Sequence, residues 1–69
     1  MVQIRQFQHS TLLHNGYVAF VDDSEKPLHE VWLIAPDGRT MMVTSTYERN
    51  LALATYKYCV DYASQLPKG

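Results

Sequence analysis

The chain has 69 residues, 46% of them hydrophobic and 19% charged, with a net charge of −1. That length allows one domain, residues 1–69, and that composition belongs to a folding chain rather than a disordered one. Its six basic and seven acidic residues are scattered, which argues against the basic footprint of a nucleic-acid or anionic-membrane binder.

A domain this small buries only about 60% of its unfolded surface, so a disulfide, a metal or a partner subunit usually supplements the core. The one cysteine, Cys59, allows no internal disulfide. His9, His14 and His29 lack the Cys/His spacing of a zinc site, so no metal or cofactor is expected. A partner subunit is the staple that remains, and a homodimer is the expectation. The stretch Met1 to Phe7 has no apolar signal-peptide core, and no run approaches the roughly 20 residues of a membrane span. With a lone thiol, these features point to a cytoplasmic protein.

The first segment, Val2 to Gln8, fits two patterns. Val2 and Ile4 alternate with polar residues as in a strand, whereas Ile4 and Phe7 share one side of a helix. The alternation favours a strand. At His14-Asn15-Gly16-Tyr17, Asn-Gly between apolar residues predicts a hairpin with a type I′ turn, which needs positive φ at both central residues. A helix end with Gly16 as its cap is the alternative.

Tyr17 to Val21 reads as a strand, apolar on both faces. Asp22 to Pro27 follows as a polar loop. Its acidic residues lack the alternating oxygens, central glycine and closing glutamate of a calcium loop. Glu30 to Ala35 is a second strand of high β-propensity. Pro36-Asp37-Gly38 suits a type I turn with Gly38 left-handed, giving a three-residue hairpin loop. That register places Ala35 opposite Arg39, Leu33 opposite Met41, Trp32 opposite Met42 and Val31 opposite Val43.

The strand from Arg39 to Thr44 leads into a helix with almost no linker. Ser45 as N-cap and Glu48 three residues on form a capping box. The helix is expected to run to about Gln65, with Pro67 and Gly69 beyond its end. At about 100° per residue it carries two apolar stripes. Tyr47, Leu51, Tyr58 and Tyr62 make one, and Ala52, Leu53, Tyr56, Cys59, Val60 and Ala63 make the other. One stripe covers the sheet. The sheet has the same excess: Val31, Leu33, Met41 and Val43 face the helix, whereas Trp32, Ile34 and Met42, with Tyr17, Ala19 or Val21, face away. The fold class expected is α+β, a small antiparallel sheet of three or four strands with one long C-terminal helix.

No catalytic constellation is expected. Cys59 lies among small residues, as a buried hydrophobe does. The histidines stand alone beside turns and strand starts, as surface polar residues, and the Asp22-Asp23 pair sits in a charged loop that does not split two pKa values. The expected contact residues, for a partner or for a second copy, are Trp32, Ile34, Met42, Tyr47, Leu51, Tyr58 and Tyr62, since interfaces enrich aromatics and methionine.

In its size and its order of elements, Tyr17–Val21, then Glu30–Thr44, then the helix to Leu66, the chain resembles small phage-encoded host-takeover inhibitors. The anti-quorum-sensing proteins of Pseudomonas phages are among them. The resemblance implies a non-enzymatic inhibitor in the host bacterial cytoplasm. Its targets would be host proteins such as a LuxR-type quorum-sensing transcription regulator and the type IV pilus assembly ATPase. Anti-CRISPR inhibitors are a class of similar build, and a small nucleic-acid-binding repressor is the rival from another class. The resemblance is one of organisation and assigns no residue a role.

Overall fold

A computed structural model describes residues 9–67. Within them the chain forms β1 (His9–Leu12), β2 (Val18–Asp22), β3 (His29–Ile34), β4 (Thr40–Thr46) and α1 (Arg49–Ser64). The strands make one antiparallel sheet in the order β1-β2-β3-β4, with β4 at an edge, and α1 packs across one face. The fold is therefore α+β, with four strands. The segment Val2 to Gln8 lies outside the described residues.

Alternation sorts the strands onto two faces. Ala19 pairs with Leu33 and Val21 with Val31, and all of them are buried beneath the helix. Their sequence neighbours Val18, Phe20, Trp32 and Ile34 share the opposite face and are half-buried. Ala19 and Val21 thus belong to the core, contrary to the sequence expectation that either could join Trp32. A strand apolar on both faces does not declare its register; pairing with β3 decides it.

The β3–β4 register runs as expected from Leu33–Met41 to Trp32–Met42, and then shifts. Val31 pairs with Thr44 rather than Val43, so Val43 is the extra residue of a β-bulge. The bulge lets the ladder continue to His29–Thr46. Ser45 is consequently a strand residue and the capping box does not form. Glu48 is the N-cap instead, in extended conformation, and makes no side-chain cap bond. The Thr46 hydroxyl accepts the Glu48 N–H at 3.0 Å, so a hydroxyl still shapes the strand-to-helix turn.

The helix presents its small residues to the sheet. Ala52, Cys59 and Ala63 are buried against Ala19, Val21, Val31 and Leu33. Small side chains on both layers allow a close approach but bury little area per contact. Val31 is the largest side chain that is fully enclosed. Tyr56 and Val60 pack at the margin, where the Tyr56 hydroxyl hydrogen-bonds with the Thr11 hydroxyl of β1.

The β1–β2 and β3–β4 hairpins use the same loop. Leu13 donates its N–H to the Tyr17 carbonyl at 2.8 Å and Gly16 donates to Leu13 at 3.0 Å. Ala35 donates to Arg39 at 2.8 Å and Gly38 to Ala35 at 2.9 Å. Gly16 and Gly38 both have φ of +93°, and no other described residue type adopts positive φ. The first hairpin is therefore a three-residue loop, not a type I′ turn: Asn15 keeps negative φ and only glycine takes the left-handed position.

Candidate interaction surface

The surface is built from the side of α1 that flanks the small-residue stripe, about 100° round the helix from it, together with the edge strand it overhangs. Tyr47 is 72% exposed, Tyr58 71%, Tyr62 56% and Leu51 52%. Residues 51, 58 and 62 fall within about 40° of one another at 100° per residue, so they form one line along the helix. Beside that line on β4, Met41 and Val43 are each 43% exposed, whereas Met42, 50% exposed, pairs with Trp32 and belongs to the opposite face of the sheet. The sequence expectation put Met41 and Val43 beneath the helix. The edge position of β4 and the bulge at Val43 leave both partly in solvent.

A groove of about 410 Å³ opens where the C-terminal half of α1 passes the start of β4, lined by Tyr17, Leu33, Thr40, Met41, Tyr62 and Leu66. Arg39 also borders it, held at 2.9 Å to Asp37 in an exposed ion pair. The lining is mostly apolar, and its polar groups are hydroxyls and one engaged guanidinium. It is a place for an apolar side chain rather than for a charged substrate.

The helix end that closes this groove is held by Asn15. Its amide donates to the Ala63 carbonyl at 2.7 Å and to the Leu66 carbonyl at 2.9 Å, and its oxygen accepts the Tyr17 N–H at 3.3 Å. The last carbonyls of a helix lack intrahelical donors; Ala63 accepts the Leu66 N–H at 3.1 Å, and the buried side-chain amide adds a second donor there and one to the Leu66 carbonyl just past the helix end. Asn15 is the one buried polar residue among those described. Sequence reasoning saw only a turn former at this position. The partners lie 48 and 51 residues away, so no local signal could have named them.

Of the expected contact residues, Met42, Tyr47, Leu51, Tyr58 and Tyr62 are exposed, whereas Trp32 and Ile34 are half-buried on the sheet face opposite the helix. The Trp32 indole N–H donates to a Glu30 carboxylate oxygen at 3.2 Å. Leu12, 75% exposed, was not foreseen; it ends β1 just before the first turn.

Cys59 is buried and His14 exposed, as expected, whereas His29 and His9 are placed differently. His29 is not a lone surface residue: its Nδ1 lies 2.6 Å from Asp23 Oδ1, and both side chains are largely covered. His9 packs its ring 5.8 Å from that of Tyr56, with Nε2 buried. The two rings share the margin between β1 and α1. Cys59 is buried, and that burial pushes its thiol pKa above the ordinary value. A thiol held protonated is a poor nucleophile. Among the described residues no three metal-ligating side chains converge, and no helix is long and apolar enough to cross a membrane.

Comparison with protein-family models, curated proteins and solved structures finds no match to this chain.

Proposed function

We propose that this chain is a protein-binding module that acts by covering the working surface of another protein, without chemistry of its own. One observation carries the reading. The enclosed core is made of alanine, valine, leucine and one cysteine, whereas Leu51, Tyr58 and Tyr62 of α1, Tyr47 just before it and Met41 of β4 lie exposed. Contiguous apolar surface beyond a few hundred Å² marks an interaction site on a soluble domain. Tyrosine also brings large contact area at the cost of only two torsions.

The resemblance to phage host-takeover inhibitors directs the choice of partner. Cytoplasmic host proteins come first, a LuxR-type quorum-sensing regulator and the pilus assembly ATPase among them. Isothermal titration of the purified chain against each should show saturable binding. Tyr47→Ala combined with Leu51→Ala should weaken it at least roughly tenfold, since exposed aromatic anchors carry interface energy. Binding that ignores the double substitution, with the fold intact by circular dichroism, refutes the surface. Binding to DNA that falls steeply with salt would replace this reading with that of a nucleic-acid repressor.

A further inference from the structure

The outer edge of β4 invites an occupant. An occupant there rests on the exposed apolar strip being an interaction surface, and takes up part of that strip. We propose that two copies of this chain pair their β4 edges antiparallel about a two-fold axis at Met41. The two sheets then run on as one, and Tyr58 and Tyr62 of each helix close over the junction.

The backbone sets the register. Ala35 donates its N–H to the Arg39 carbonyl, which makes Ala35–Arg39 a hydrogen-bonded pair. Bonded and non-bonded pairs alternate along an antiparallel ladder. Leu33–Met41 is then bonded, and Ile34–Thr40 and Trp32–Met42 are not. Thr40 and Met42 therefore turn their N–H and carbonyl groups away from β3, toward the open side. Among the described residues no strand pairs with that side. Thr40 of one copy matches Met42 of the other in both directions, and Met41 meets its own counterpart across the axis. The pairing ends before the bulge at Val43, where the ladder geometry is lost.

The side chains suit a second copy. β4 reads Thr-Met-Met-Val-Thr-Ser-Thr, with no charge and no proline over seven residues. Natural edge strands are commonly guarded by lysine, proline or inward charge. This one has only its bulge. An uncharged edge meets no like-charge repulsion when it pairs with itself, and a two-fold contact is self-complementary by construction. Tyr58, Tyr62, Met41 and Val43 together leave on the order of 400 Å² exposed per chain, at 150–250 Å² for a whole aromatic side chain. Strand pairing adds backbone area, and two copies then approach the ~1,000 Å² that a specific interface needs. A core whose largest enclosed side chain is Val31, with no disulfide available, gains from such a partner.

Analytical ultracentrifugation of the wild-type chain should show a species of twice 7.9 kDa at micromolar concentration. Met41→Lys and Met41→Glu, each alone, bring like charges face to face at the axis and should raise the dimer Kd at least roughly tenfold. An equal mixture of the two variants should restore the dimer, because residue 41 meets residue 41. In the wild type, amide exchange at Thr40 and Met42 should slow as concentration rises, a readout that needs no variant. A 7.9 kDa species at every concentration overturns the proposal. So does a mixture that stays monomeric, or fast exchange at both amides in a dimer. A monomeric wild type that still binds its target through Tyr47 and Leu51 overturns this proposal alone. A dimer that binds no protein overturns only the proposed function.

Discussion

The two hairpin loops have the same backbone and opposite surroundings. In each, the central residue precedes a left-handed glycine and its side-chain oxygen accepts the N–H two residues on: Asn15 from Tyr17 at 3.3 Å, Asp37 from Arg39 at 3.1 Å. There the likeness ends. Asp37 remains exposed and holds Arg39 in an ion pair open to solvent. Asn15 is buried and spends its amide on two carbonyls at the end of α1. An aspartate has no donor with which to do this, so the single change from amide to carboxylate separates a loop that joins strands from one that also anchors the helix. The loops touch as well: a Cβ on Gly16 would stand 3.2 Å from Pro36 Cγ, whereas one on Gly38 would meet open space.

Breaking the anchor should cost most. Asn15→Ala takes the donor from the Leu66 carbonyl and leaves the Ala63 carbonyl with only the Leu66 N–H, and about 2–3 kcal/mol should be lost in urea denaturation. Asn15→Asp should fall at least as far, since its carboxylate would face the same carbonyls without a proton to give. If Asn15→Asp unfolds at the wild-type midpoint, the amide is not the anchor.

Gly16→Ala should cost somewhat less, about 2 kcal/mol, from left-handed strain plus the push against Pro36. Gly38→Ala has the same φ and no neighbour, and should cost about 1 kcal/mol. The difference between these two measures the contact between the loops. Equal values would show that the contact yields freely. Asp37→Ala should be mildest, about 0.5 kcal/mol or less, because its ion pair with Arg39 is exposed and screened.

Cys59 tests the core one helical turn before the anchored Ala63. Its folded pKa is raised by burial, so the native state favours the thiol. That preference is fully present below the ordinary thiol pKa of 9.0 and disappears as pH rises through the raised value. Stability should therefore decline above about pH 9, and Cys59→Ala should remove this part of the decline. Iodoacetamide should label the native chain slowly, and Asn15→Ala should speed labelling through easier opening of α1.

The surface and the fold were legible to different depths. The helical line of Tyr58 and Tyr62 follows from their spacing, and the small-residue stripe that faces the sheet follows from the same wheel. The Ala35–Arg39 loop was readable because proline fixes φ at about −65° and glycine alone readily takes the positive φ that this turn requires. The capping box was misread because Ser45 and Glu48 satisfy a local rule that the β3–β4 ladder overrides. Continued pairing of Thr44 to Thr46 with Val31 to His29 is worth more than one cap. The groove was not legible, since Tyr17, Met41 and Leu66 meet only when the helix lies across β4.

By itself, the order of residues determined an antiparallel hairpin sheet followed by a single helix, because periodicity and turn chemistry act within a few residues. Tertiary structure decided three other matters. It chose which face of β2 is core, it extended β4 through a bulge to Thr46, and it gave Asn15 its partners at the far end of the chain. Each depends on groups distant in sequence competing for the same hydrogen bonds or the same apolar surface, and only the packed chain resolves that competition.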